Sequence, residues 1–586
     1  VLCRRIRSKR DDSLTSHCSR RSAAVKLIWN RPGGKPRHCT VYNRAQRQLS
    51  QLFIRLLSTM TNATVLSRAY DVLKAHNATT IFGNPGSNEL PFIADLPAGF
   101  RYVQCLHEGI AVSMAEGFSQ STGGPAVVNL HSNSGSGNGM GMLTNAVYSH
   151  TPLVIIAGQQ VRDQVGIEMM LTNVDAAALT KPLTKWAYEP LAAQDVPRAV
   201  SNAVLQALAE PRGPTYLSVP WDDWTQTAHP DDVLLASRSV RTGGHLGDET
   251  IKDLAARLDS WSRPLLILGP DVDAARAQGA AVTLAERLGA EVWVAPSASR
   301  CPFPTTHPNF RGVLEPSRRK VRERLEGHDG VLVVGAPIFR YHQYQPDAYV
   351  PAAGIDAVHL TVDAGEAARA PFANSIVCSI GPALTGLAAA VTDRGVSVPA
   401  RTIPPPTRVE GQMTGDEMLD IIAAHTPDSA TYVNEVTSMS DAFMSRVPIT
   451  RPDGYKLCAS GGLGFGMAAA VGVAMARPDD VVVAAIGDGS ANYAIQALYT
   501  AATHQSRVVF VIFNNGKYGA VVHFAEAMGA PDAPGLELPG IDFLGLAKGY
   551  GVPASSVSNV QDFEKEYTKA LNATGPVLIE AKIAFT

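Results

Sequence analysis

VVVAAIGDGSANYAIQALYTAATHQSRVVFVIFNNGKYG, residues 481–519, contains two apolar runs, each of which stops at a small polar cluster. The first ends in Gly487-Asp488-Gly489-Ser490 and the second in Asn514-Asn515-Gly516. Both runs read as buried strands, while Tyr493, Ile495, Leu498 and Tyr499 between them recur at helical spacing. The spacing predicts strand, loop, helix, strand, a right-handed crossover that lays the two strands parallel. Ligands of open parallel sheets sit beyond the carboxyl ends of the strands, where Asp488 and Asn515 both fall. The two clusters are therefore expected to face one ligand.

Charge says what that ligand is. Gly487 and Gly489 let a backbone approach a phosphate, yet Asp488 between them would repel one. A divalent cation between carboxylate and pyrophosphate removes the conflict. Magnesium takes one or two protein oxygens together with phosphate oxygens and water. Asp488, the Asn515 side chain and a main-chain carbonyl such as that of Lys517, turned inward by Gly516, are the expected metal ligands. A dinucleotide fingerprint is the rival, but the pattern puts Asn492 where the third glycine belongs. An ordinary strand-end turn explains the glycines but not the acid and amide together. With 24 residues between Gly489 and Asn514, the two-part pattern resembles the thiamine diphosphate signature, which implies thiamine diphosphate and Mg2+ as cofactors.

The 586 residues leave room for three or four domains. Residues 1–57 hold 14 Lys or Arg against Asp11 and Asp12, a balance of +12 that leaves the remainder at −14. An acidic body argues against nucleic acid as a partner, since phosphate neutralisation needs clustered Lys and Arg. The Arg-rich stretch 1–59 has no secretory h-region and reads as a leader outside the fold, with a new start at Met60. Seven cysteines without a C-x-x-C pair suit a reducing compartment, so the expected location is the cytoplasm. Residues 457–476, LCASGGLGFGMAAAVGVAMA, imitate a membrane span in length. Their glycines and alanines predict instead a buried helix packed closely on this sheet or on a partner subunit, with no membrane role.

Hydrophobic runs over 80–82, 126–130 and 153–157 read as strands of a first α/β domain, 60–227. Runs over 264–269, 291–295, 330–335 and 357–362 belong to a central α/β domain, 246–395. The Pro-rich stretch 396–412 is a stiff linker into a third domain, 413–586, which holds the metal motif. The expected fold class is three doubly wound parallel-sheet domains. In the first, Glu108 opens a helix whose neighbours Ala111, Val112 and Ala115 are core-like, so its carboxyl is expected to be partly desolvated. A helix-start glutamate favoured by the macrodipole is the plain alternative.

Over residues 62–583 the chain resembles the thiamine diphosphate-dependent 2-oxo acid decarboxylases, most closely their benzoylformate decarboxylase branch. The resemblance rests on FGNPGSNELPF (82–92), NLHSNSGSGN (129–138), LTNVDAA (171–177), RCPFPTTHP (300–308), GAPIFRYHQY (335–344), GGLGF (461–465), IGDGSANY (486–493) and PGIDF (539–543). It implies pyrimidine-binding, central and pyrophosphate-binding domains in that order. By position it makes Glu108 the acid that protonates the aminopyrimidine, and Ser87, His131 and His307 the proton-handling set. Thr437, Gly461, Leu463, Gly487, Asp488, Gly489, Ser490, Asn515 and Tyr518 fall at cofactor positions. Ser87, Val521 and Phe524 fall in the substrate pocket. Val521 and His523 stand where members of this branch carry leucine and tryptophan, and Lys517 replaces a threonine.

The resemblance also implies decarboxylation of benzoylformate to benzaldehyde and carbon dioxide, as in mandelate-type aromatic catabolism, by a homo-oligomer built as a dimer of dimers with sites between subunits. Another 2-oxo acid decarboxylase or an acetolactate synthase-like carboligase fits the same motifs. A nicotinamide-dependent oxidoreductase is disfavoured by the missing third glycine, and a non-catalytic binding homologue by intact Glu108 and Asp488.

Overall fold

The computed structural model describes residues 63–342 and 355–586, so the leader expected over 1–59 lies outside the described residues. Most strands are apolar on both faces of the pleat, as a parallel sheet covered by helices on both sides requires. Three six-stranded sheets follow one another along the chain. The first comprises β1 (Thr80–Gly83), β2 (Arg101–Gln104), β3 (Ala126–Leu130), β4 (Leu153–Gln159), β5 (Trp186–Tyr188) and β6 (Thr215–Pro220). Its order is β2-β1-β3-β4-β6-β5, all parallel.

The middle sheet is built from β7 (Pro264–Leu268), β8 (Glu291–Val294), β9 (Phe310–Val313), β10 (Gly330–Val334), β11 (Asp356–Thr361) and β12 (Asn374–Val377). Its parallel order, β12-β11-β10-β7-β8-β9, is that of a dinucleotide-binding sheet. Its switch point is closed, however: a Cβ on Gly269 would lie 2.3 Å from the Gly335 carbonyl and 2.3 Å from the Ala336 methyl.

The third sheet contains β13 (Thr431–Glu435), β14 (Tyr455–Leu457), β15 (Val482–Gly487), β16 (Val508–Asn514), β17 (Ala554–Val557) and β18 (Val577–Lys582). It repeats the order of the first, β14-β13-β15-β16-β18-β17, again parallel. In both outer sheets the chain leaves a central strand for one side and returns on the other. The switch points therefore lie between β1 and β3 and between β13 and β15.

One expectation is corrected between β15 and β16. The presumed loop is helical from its start, since Asp488–Asn492 already forms a helical turn ahead of the crossover helix Ala497–Thr503. Asn492 Nδ2 donates to the Asp488 carbonyl at 2.7 Å and closes that turn.

Helices α1 (Glu108–Thr122) and α2 (Ser132–Tyr148) follow β2 and β3, and α3 (Phe465–Ala476) follows β14. The apolar stretch that imitated a membrane span contains α3, which is buried over Phe465–Ala474. It packs on α1 of the same chain, where a Cβ on Gly472 would lie 1.9 Å from the Met114 carbonyl and one on Gly117 2.3 Å from the Ala469 carbonyl. Small residues thus bring the two backbones together, and Ala63–Thr586 form one compact unit. Among the described residues no helix is long and apolar enough to cross a membrane.

Candidate active site

A cavity of about 900 Å3 opens beyond the switch point of the third sheet. Thr437, Gly461, Leu463, Gly487, Asp488, Gly489, Ser490, Asn515, Lys517, Tyr518, Val521 and Phe524 all line it. Asp488 is only 3% exposed, and burial raises its carboxyl pKa. Its Oδ1 accepts from the Gly489 amide at 2.9 Å and its Oδ2 from the Gly516 amide at 2.8 Å, which oppose that rise. No cationic side chain pairs with it among the described residues, and a buried carboxylate without a counter-charge calls for a cation.

Neighbouring groups complete an oxygen donor set. Asn515 Oδ1 accepts from the Lys517 amide at 3.0 Å. The Lys517 ammonium is engaged by Glu537 at 2.8 Å and lies 5.6 Å above the Phe585 ring, while the residue itself lines the cavity. Gly489 is required by close approach, for a Cβ there would stand 2.6 Å from the Tyr518 ring. A carboxylate and an amide oxygen at the mouth of a parallel sheet fit magnesium held against a diphosphate.

The turn that carries Gly461 and Leu463 is clamped from two sides. Asn145 on α2 donates to the Gly462 carbonyl at 2.8 Å and accepts from the amides of Ser460 and Gly462 at 3.1 and 3.2 Å. Glu435, fully buried at the end of β13, accepts from the amides of Gly464 and Gly466 at 3.0 and 2.9 Å. Burial pushes its carboxyl up to about 8 against the pull of those amides. The sequence reading passed over both residues, since each stands beside another polar residue, Thr144 and Asn434.

Glu108, Ser87 and His131 gather at the switch point of the first sheet instead, and none of them lines the cavity. Glu108, 6% exposed, accepts from Asn84 Nδ2 at 3.4 Å and Asn138 Nδ2 at 3.0 Å. Ser87 is exposed in the turn after β1. His131 ends β3, partly buried, with its Nδ1 2.8 Å from Glu89. Helix α2 measures the gap. Asn138, which holds Glu108, precedes Asn145, which holds the Gly461 turn, by two helical turns, about 10 Å of axis at 1.5 Å per residue.

Among the central-domain residues that line the cavity is one the sequence reading did not select. His342 lines it and stacks on Phe524 of α4 (Gly519–Ala527), ring centroids 4.6 Å apart and 17° from parallel. The expected His307 stays outside. Its Nδ1 accepts from the Asn309 amide at 3.2 Å, its Nε2 lies 3.3 Å from Glu286, and its ring packs edge-on against Phe303. The resemblance quoted both segments, 300–308 and 335–344, and only the folded chain distinguishes their histidines. His523 likewise turns away to stack on Phe585 at 5.0 Å, so its departure from tryptophan does not reshape the cavity, whereas Val521 faces it.

Comparison with known proteins matches this arrangement domain by domain. Residues 63–179 match the N-terminal TPP binding domain of thiamine pyrophosphate enzymes, 251–387 their central domain and 436–581 their C-terminal TPP binding domain. The chain is 50% identical over 519 residues to benzoylformate decarboxylase of Pseudomonas aeruginosa, covering 88% of this chain and 98% of that protein. It is similar to the solved thiamine diphosphate-dependent 4-hydroxybenzoylformate decarboxylase of Rhodococcus jostii RHA1, with a TM-score of 0.88 and 50% identity over 89% of this chain and all of that one. Benzoylformate decarboxylase from Polynucleobacter necessarius follows at a TM-score of 0.86 and 35% identity, covering 89% and 99% of the two chains. A chain whose three domains and fold are matched in this way belongs to the thiamine pyrophosphate enzyme family, as a homologue of its benzoylformate decarboxylases.

Proposed function

We propose that the protein uses thiamine diphosphate and Mg2+ to decarboxylate an aromatic 2-oxo acid, benzoylformate or a ring-hydroxylated relative, to the aldehyde and carbon dioxide. The observation that carries this reading is one cavity that joins the Asp488, Asn515 and Lys517 oxygen set to the stacked His342–Phe524 pair. Asp488, Asn515 and the Lys517 carbonyl would hold the metal, with Gly487, Gly489, Ser490 and Tyr518 around the diphosphate. Thr437, the Gly461 carbonyl and Leu463 would seat the rest of the cofactor. Bound there, thiamine diphosphate supplies the sink for the electrons left as carbon dioxide departs. Phe524 and Val521 would enclose the aryl group, and His342 would move a proton at the reacting carbon.

Glu108, Ser87 and His131 enter this reading from a second copy of the chain. Glu108 would hold the proton of the aminopyrimidine ring, while Ser87 and His131 bind and relay at the 2-oxo acid. What supports a shared site is the separation along α2, together with the exposed side chains of Leu90, Leu106 and Met170 near this trio, apolar surface that a partner would cover. The assembly is then a homodimer or a dimer of such dimers. A cytoplasmic enzyme of mandelate-type aromatic catabolism fits this chemistry.

Carbon dioxide release from aromatic and aliphatic 2-oxo acids, with thiamine diphosphate and magnesium added to metal-free protein, tests the reading. Benzoylformate or its 4-hydroxy analogue is expected to give the highest kcat/KM, and only with both additions. Preference for pyruvate would sink the aromatic assignment, and a fully active monomer in sedimentation would sink the shared site.

A further inference from the structure

Glu89, within the stretch FGNPGSNELPF, lies behind the first-domain switch point. Its side chain is 0% exposed. Four nitrogens converge on it. Oε1 accepts from the amides of Gly158 at 2.9 Å and Ser132 at 3.2 Å, and Oε2 from the Gly86 amide at 3.2 Å. The fourth is His131, whose Nδ1 lies 2.8 Å from Oε2. The surroundings are cut to fit this pair. A Cβ on Gly158 would stand 2.1 Å from Glu89 Oε1, and one on Gly86 2.0 Å from His131 Nδ1. Gly158, within β4, and Gly86, in the turn after β1, carry no side chain, so carboxylate and imidazole can meet.

We propose that Glu89 is a positioning residue that fixes the tautomer of His131, and this rests on the reading of His131 as a proton relay. A carboxylate has only acceptors to offer, and its two oxygens already receive three main-chain N–H groups. The imidazole must therefore present N–H at Nδ1, which leaves Nε2 with its lone pair as the atom that takes and returns a proton. Glutamine cannot do the same. With its oxygen on the Gly158 and Ser132 amides, its NH2 group faces His131, so Nδ1 becomes the acceptor and the ring proton moves to Nε2.

The test reads the tautomer and the rate separately. Protein carrying 15N-histidine is examined by long-range 1H–15N correlation with the ring neutral, and His131→Ala identifies the signal among the 15 histidines. Wild type is expected to show N–H at Nδ1 and Glu89→Gln at Nε2. Glu89→Gln should also lower kcat by on the order of 100-fold or more, with KM and thermal midpoint near wild type, as for other relays held in the wrong tautomer. In the His131→Ala background the same change should cost nothing further. An Nε2–H signal in wild type overturns the proposal even if the variant fails to fold. Additive losses in the double variant also overturn it, by making Glu89 structural. Full activity of His131→Ala would instead sink the relay reading, and the tautomer result would then decide on Glu89 alone.

Discussion

The first and third domains share one strand order and place their polar residues at the same switch point, yet the cavity opens at that of the third, and Glu108, Ser87 and His131 of the first do not line it. Around β15 stand a buried carboxylate and an amide oxygen, and among the described residues no cationic side chain pairs with that carboxylate. Around β3 the carboxylate of Glu89 is already paired with an imidazole and three amides. Topology selects where function can sit. What then differs between the two is whether the buried carboxylate has a side-chain partner within the chain.

Substitutions on each side can break that contrast, and the largest effect is expected in the first domain. Glu108→Gln should leave folding and cofactor retention near wild type while lowering kcat by ~100- to 10,000-fold, the usual range for a removed general acid. Equal kcat would reduce Glu108 to a helix-start residue. Asp488→Ala should act the other way and weaken magnesium-dependent cofactor affinity beyond the ~10- to 100-fold of an outer-sphere change. Titration of cofactor fluorescence with and without magnesium measures it. The histidine assignment comes next. His342→Ala should reduce kcat about 100-fold or more, and His307→Ala should remain within about threefold, so the reverse order would restore His307 to the site.

A smaller effect tests the seam between the first and central domains, where His150 Nδ1 meets Asp271 at 2.9 Å. Burial disfavours its imidazolium, but the charge and hydrogen bond of Asp271, then Glu366 and Asp363, outweigh burial and raise its pKa to about 9. A folded pKa above the ordinary histidine value of 6.5 contributes stability that is complete below about pH 6.5 and lost as pH rises through about 9. The contribution is on the order of 3 kcal/mol. His150→Ala should flatten the fall in thermal midpoint across that window, and an unchanged slope would remove His150 from the account. The smallest effect belongs to Phe524→Ala. Loss of an aromatic pairing worth ~0.5–1.5 kcal/mol should lower kcat/KM for benzoylformate about two- to tenfold more than for pyruvate, and equal losses would mean that Phe524 only fills space.

The sequence alone was enough to find three parallel α/β domains and to single out the strand-end acid and amide that line the cavity, because strand-end glycines, an acid and an amide at fixed spacing are local features. Asp488, Asn515 and Lys517 needed no tertiary information to be singled out. Local pattern could not choose between His307 and His342, since each follows its own strand and only the approach of β10 to α4 brings one against Phe524. Nor could it find Glu89, Asn145 or Glu435, whose partners lie up to 317 residues away along the chain. A buried polar side chain acquires its role from whichever distant donors converge on it, and that convergence exists only once the sheets have stacked.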